Sequence, residues 1–140
     1  MDVVERLRDG AAGVFEGTPV AFAYLFGSHA TGRPHPRSDV DVAVWVDEVP
    51  AERFLDLSLR LAVALERACG VGPIEALVVL NEAPITLAGR ILAERQVIYS
   101  RDEPARVRFE SRTFRMFCDF ERHADPLRRL RLAAIAQGDG

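Results

Sequence analysis

The chain has 140 residues, with 18 basic side chains, all arginine, against 21 acidic ones, for a net charge of −3. That length suits a single domain over residues 1–140, with a helical extension from about residue 104, and excludes two ordinary domains. The acidic balance argues against general nucleic-acid binding. No apolar run approaches the roughly 20 residues that cross a bilayer, and the charged opening MDVVERLRDG is unlike a signal peptide. Cys69 and Cys118 sit in apolar contexts without CxxC spacing, so buried free thiols in a soluble cytoplasmic protein are expected.

Val3, Val4, Leu7, Ala11 and Val14 recur at helical spacing, and Gly17 and Pro19 punctuate the helix they predict. VAFAYLF, Val20 to Phe26, is a continuous β-prone apolar run that suits a strand buried on both faces. VDVAVWV, Val40 to Val46, predicts a second strand. Phe54, Leu57, Leu61, Leu65 and Ala68 follow at steps of three and four, with Gly70 placed to cap the helix. Ile74 to Leu80 predicts a third strand, Pro84 to about Glu94 a helix, and QVIYS a fourth strand. A long helix is expected from Pro104 to about His123, and a short one after Pro126. Strands alternating with helices predict an α/β fold with a small mixed sheet.

The second strand opens on two carboxylates. Strand alternation would turn Asp39 and Asp41 to one face, where they repel each other unless a cation lies between them. Hard divalent cations, which favour carboxylate oxygens, are the obvious choice. Alone, a DxD pattern is more often a turn cap followed by an exposed strand end. Upstream, however, Gly27-Ser28 ends the first strand, and a glycine there lets backbone approach a ligand closely. The Ser28 hydroxyl, backbone N–H groups, and Arg33 and Arg37 in the following loop suit phosphate oxygens. His29 and His35 lie in the same loop, and of the two His29 is the candidate for a phosphate contact.

Gly27-Ser28, ten residues, then Asp39-Val40-Asp41 resembles the GSx10DxD signature of the nucleotidyltransferase superfamily that contains the DNA polymerase β palm. The small size, the element order and VVLNEAP at Val78 to Pro84 are similar to the minimal, MntA-type nucleotidyltransferases, antitoxins paired with HEPN-type HepT toxins. The resemblance implies a polymerase β-like palm in which Gly27, Ser28, Arg33 and Arg37 bind the phosphates of ATP, a nucleoside triphosphate. It also implies that Asp39 and Asp41 hold two Mg²⁺ ions. In the family a third carboxylate usually stands five residues before the Asn of the VVLN stretch, and here that position is Ala76. Glu75 is adjacent. Alternation turns it to the opposite face unless a bulge re-aims it, so both a catalytic Glu75 and an exposed Glu75 stay open.

In the long helix, Val107, Phe114 and Cys118 share one face, while Phe109, Met116 and Phe120 lie nearly opposite. One face should pack on the sheet and the other meet a partner, with Arg108, Arg112, Arg115 and Arg122 between them, unless the helix breaks midway. The resemblance makes that partner a HEPN-type toxin and leaves homo- or hetero-oligomers open. Two functions from different classes follow. One is Mg²⁺-dependent transfer of AMP from ATP to a hydroxyl of the toxin, with a tyrosine as the expected acceptor. The other is a weak or silent antitoxin that neutralises by contact.

Overall fold

The computed structural model describes residues 2–34, 39–74 and 77–123. His35, Arg37, Glu75, Ala76 and the helix expected after Pro126 lie outside the described residues. Four strands form a mixed sheet in the order β3-β2-β1-β4. They are β1 (Val20–Phe26), β2 (Asp41–Val46), β3 (Val78–Val79) and β4 (Gln96–Ser100). β1 pairs antiparallel with both β2 and β4, and β2 pairs parallel with β3. A parallel pair needs a crossover, and the helix α3 (Phe54–Cys69) supplies it. The other helices are α1 (Val3–Phe15), the four-residue α2 (Ser28–Thr31), α4 (Ile85–Glu94) and α5 (Glu103–Arg122).

All seven residues of β1 are buried, as its unbroken apolar run predicts for a central strand covered on both faces. On one face α1 and α3 bury Leu7, Ala11, Phe15, Leu61 and Leu65 against Ala23, Leu25, Val42 and Val44. On the other, α4 and α5 set Ile91, Leu92 and Phe109 against Phe22, Tyr24, Phe26 and Ala43. A register shift between Val20 and Phe22 marks a bulge at the start of β1. Beyond it β1 and β2 keep one alternation, so Ala43, Trp45 and Asp41 share the α4/α5 side. Trp45 is half-buried among Phe22 and Phe109.

Two expectations need correction. The described part of the third strand is only Val78–Val79, and a 3-10 turn follows at Leu80–Glu82. Pro73 has no N–H to give a ladder, and the Ile74 N–H donates to Glu66 Oε1 at 2.6 Å instead of to β2. Past the strand, Asn81 replaces the missing backbone pairing. Its amide donates to the Val46 carbonyl at 2.8 Å, and its Oδ1 accepts from the Val46 N–H at 3.0 Å.

The second correction concerns the faces of α5, which is continuous as expected. Its buried side is Phe109 and Thr113, followed by Phe117 packed on Gly89, where a side chain would overlap the ring. Met116, expected beside Phe109, is exposed. On the far flank Val107 and Phe114 are exposed, as one of the two apolar faces was expected to be.

Candidate active site

The β1 strand ends at Phe26, whose register partner is Asp41, so the turn after β1 and the start of β2 are adjacent by construction. Gly27 then takes φ +79°, a conformation that disfavours side chains. Space enforces the same choice: a methyl group at Gly27 would overlap Asp41 Oδ2. The glycine is therefore what lets the turn close directly onto the carboxylate. Ser28 opens α2, half-exposed, and the Gly27 carbonyl accepts from the Ala30 and Thr31 N–H groups. Gly32, at φ +78°, ends the turn, and the Arg33 N–H returns to the Ser28 carbonyl at 2.9 Å. The Arg33 side chain is exposed.

Asp41 is the first residue of β2 and half-buried, whereas Asp39 is exposed and precedes the strand. Its place therefore follows from the segment leading into β2, not from strand alternation. Val40 between them is buried and donates its N–H to the Pro73 carbonyl at 3.0 Å, which anchors that segment. Burial pushes the Asp41 carboxyl above the usual carboxylate range. Arg90 and His29 oppose that shift, while the charges of Asp39 and Glu94 add to it. The two aspartates are thus within electrostatic reach of each other, as the sequence predicts.

Sequence reasoning missed Arg90 and Glu94. Glu94 Oε1 accepts from the Gly27 N–H at 3.2 Å and from Arg90 Nε at 3.3 Å. The signal is topological. β4 pairs with β1 so that Gln96 faces Leu25, which obliges the end of α4 to reach the turn after β1. Arg90 and Glu94, one turn apart, then sit over it.

The donor set fits a hard divalent cation: two carboxylates, one partly desolvated and pressed on by neighbouring negative charge, would gain from a cation between them. Among the described residues no group of three or more His, Cys, Asp and Glu is spaced to hold a metal ion. Gly27, Ser28, Asp39 and Asp41 come together at one end of the sheet. Arg33 follows the turn with its side chain outward, and Arg37 and Glu75 lie outside the described residues. Among the described residues no helix is long and apolar enough to cross a membrane.

The turn after β1 thus closes onto a half-buried carboxylate at the adjacent end of β2. Residues 13–104 match the family described as polymerase beta, nucleotidyltransferase, and the chain belongs to that family. Among curated proteins no sequence match is found. Among solved structures the fold is similar to a chain of a toxin–antitoxin complex with AMP-PNP, at 21% identity and a TM-score of 0.62, covering 95% of this chain and 98% of that one. It is also similar to a chain of the MntA-HepT toxin–antitoxin, at 19% identity and a TM-score of 0.59, covering 97% and 99%. A third similar chain belongs to a tri-AMPylated Shewanella oneidensis HEPN toxin in complex with MNT antitoxin, at 18% identity and a TM-score of 0.59, covering 98% and 99%. At these identities the likeness is one of fold.

Proposed function

We propose that this chain is an Mg²⁺-dependent adenylyltransferase that moves AMP from ATP onto a hydroxyl of a HEPN-type toxin and so acts as its antitoxin. The observation that carries the reading is the closure of the Gly27 turn onto Asp41, whose carboxyl burial and neighbouring charge leave in need of a cation. Two Mg²⁺ ions between the carboxylates and a triphosphate would activate the acceptor hydroxyl and offset the charge building on pyrophosphate.

The chain's own residues do the rest. Asp39 and Asp41 supply the ligands. The Ser28 hydroxyl and the Ser28 N–H orient the phosphates, the Gly27 N–H being held by Glu94, with Arg33 and Arg37 adding charge from the loop. The acceptor oxygen attacks the α-phosphorus, the bond to the β-phosphate oxygen breaks, pyrophosphate leaves, and the hydroxyl proton passes through a carboxylate to solvent. Glu75 is the candidate for that carboxylate, one residue before Ala76, which stands at the family's third-acid position. The similar folds found in toxin–antitoxin complexes, one with AMP-PNP and one with an AMPylated toxin, support the choice of nucleotide and acceptor.

A second reading has its own observation. α5 exposes Phe114 and Val107, and Arg108, Arg112 and Arg115 have no anionic partner among the described residues. Such a face suits an acidic, partly apolar partner, and contact alone would neutralise a toxin. The test is a transfer assay with α-labelled ATP, Mg²⁺ and a HEPN-type protein that co-purifies with this chain. Label on the toxin that vanishes with Asp41→Asn supports the enzyme. Toxin neutralised equally by both proteins, without label, overturns it in favour of contact.

A further inference from the structure

The nucleotide site and α5 leave one exposed apolar feature unused, on the opposite layer. α3 buries Phe54, Ser58, Leu61, Ala62, Leu65 and Cys69. Its outer side presents Leu55, Leu59 and Val63, exposed by 69%, 45% and 46%. Steps of four residues align the three along two helical turns as one stripe. Glu66 continues that line, but its carboxylate turns back to accept the Ile74 N–H.

The charges beside the stripe are ordered. Glu52, in the 3-10 turn leading into α3, and Asp56 precede the middle of the stripe, and Arg60 and Arg67 follow it; all four are exposed. At 3.6 residues per turn Asp56, Arg60 and Arg67 lie to the same side of Leu59, within about 100° of it, and Glu52 precedes them in the 3-10 turn. Asp56 and Arg60 pair within the helix at 3.0 Å, an exposed pair of little energetic weight. Glu52 and Arg67 have no partner among the described residues.

This order is self-complementary for one arrangement only. Two copies of α3 running antiparallel about a two-fold axis at Leu59 set Leu55 against the partner's Val63 and Leu59 against the partner's Leu59. The same operation sets Glu52 opposite the partner's Glu66 and one residue from the partner's Arg67, and Asp56 two residues from level with the partner's Arg60, twice over; Glu66 itself is engaged by the Ile74 N–H. A parallel pair would instead set Glu52 against Glu52 and Asp56 against Asp56, and like charges repel. A stripe of three large apolar side chains with matching charges alongside is the composition of an interface. We propose that α3 is an isologous, antiparallel homodimer interface built on Leu55, Leu59 and Val63 and given its direction by Glu52, Asp56, Arg60 and Arg67. The proposal is independent of the transfer reading, since none of these residues belongs to the nucleotide site.

The experiment is sedimentation equilibrium on the purified full chain, over a concentration series reaching the high micromolar range. The wild type should dimerise. Leu59→Glu places two carboxylates against each other on the axis and should give monomer, with far-UV circular dichroism unchanged because the position is exposed. Glu52→Arg/Asp56→Arg and Arg60→Glu/Arg67→Glu should each weaken self-association by about tenfold or more, and an equimolar mixture of the two should recover a dimer. A wild type that stays monomeric overturns the proposal, including one whose stripe becomes protected only when a different protein is added. So does a Leu59→Glu dimer as tight as the wild type, or a mixture that fails to re-associate. The transfer assay reads the other proposal separately, and Leu59→Glu should label the toxin as the wild type does.

Discussion

The two faces of the sheet are built from the same strands and do opposite kinds of work. The α1/α3 face is a hydrocarbon core, with Leu7, Phe15, Leu65, Val42 and Val44 fully or almost fully buried and the Phe15 and Tyr99 rings 5.2 Å apart. The α4/α5 face carries charge into its packing. The Tyr24 hydroxyl, on the central strand, donates to Glu110 Oε2 at 2.7 Å. The same carboxylate takes Arg106 Nη1 at 2.6 Å and Arg95 Nη2 at 3.1 Å, and Arg106 also pairs with Glu103. Asp41 projects on this face too. The comparison teaches that the fold confines its electrostatic cost to one side, leaving the other as an uncharged foundation for it.

The largest effect should come from breaking the foundation. Phe15→Ala leaves a cavity in the uncharged core and should cost about 3–5 kcal/mol in urea unfolding. It should not alter the affinity of the folded fraction for ATP and Mg²⁺. Glu110→Ala attacks the charged side. It strands the Tyr24 hydroxyl and takes one partner each from Arg95 and Arg106, and should cost about 2 kcal/mol, while Glu110→Gln, which keeps an acceptor oxygen, should cost less.

Asp41→Asn should go the other way. Removing a partly desolvated, repelled carboxylate raises the Tm of the metal-free protein, by thermal scan, and abolishes the Tm increase that Mg²⁺ with ATP gives the wild type. A lower Tm in that variant would mean Asp41 is satisfied without metal. The smallest effect is a pH slope. Burial, helped by the hydrogen bond to Glu110 and its charge, raises the Tyr24 pKa far above the ordinary value of 10.0. The unfolded chain therefore releases that proton first, and stability present below about pH 10 is lost as pH rises beyond it. Tyr24→Phe should remove this part of the slope, measured by urea midpoints between pH 9 and pH 11.

The contrast between faces also separates what could be read in the sequence from what could not. VAFAYLF announces a doubly buried strand because apolar residues on both parities have no other use, and the α1 and α3 stripes declare their buried sides by period alone. The closure of Gly27 onto Asp41 was legible because close approach of backbone to a side chain demands a glycine. Arg90 and Glu94 were not, since an arginine and a glutamate four apart describe any exposed helix. Only the pairing of β4 beside β1 brings them to the turn. The packing side of α5 was half legible. Phe109 declared itself, but Phe117 gains its place from the bare surface at Gly89, a complementarity between distant residues that helical periodicity does not contain. The third strand ran short for a similar reason, its backbone pairing handed to Asn81 and Glu66 side chains.

The burial of β1 gives the molecule an internal clock. The strand has a neighbour on each edge and a helical layer on each face. Amides there can meet solvent only when the whole structure opens, whereas the last turns of α5, bordered by exposed side chains, can open alone. Deuterium uptake at Ala23 to Leu25 therefore times global unfolding, and uptake near Asp119 times local release of the helix end. A ligand that slows the first acts on the entire fold, and one that slows only the second has been caught on α5.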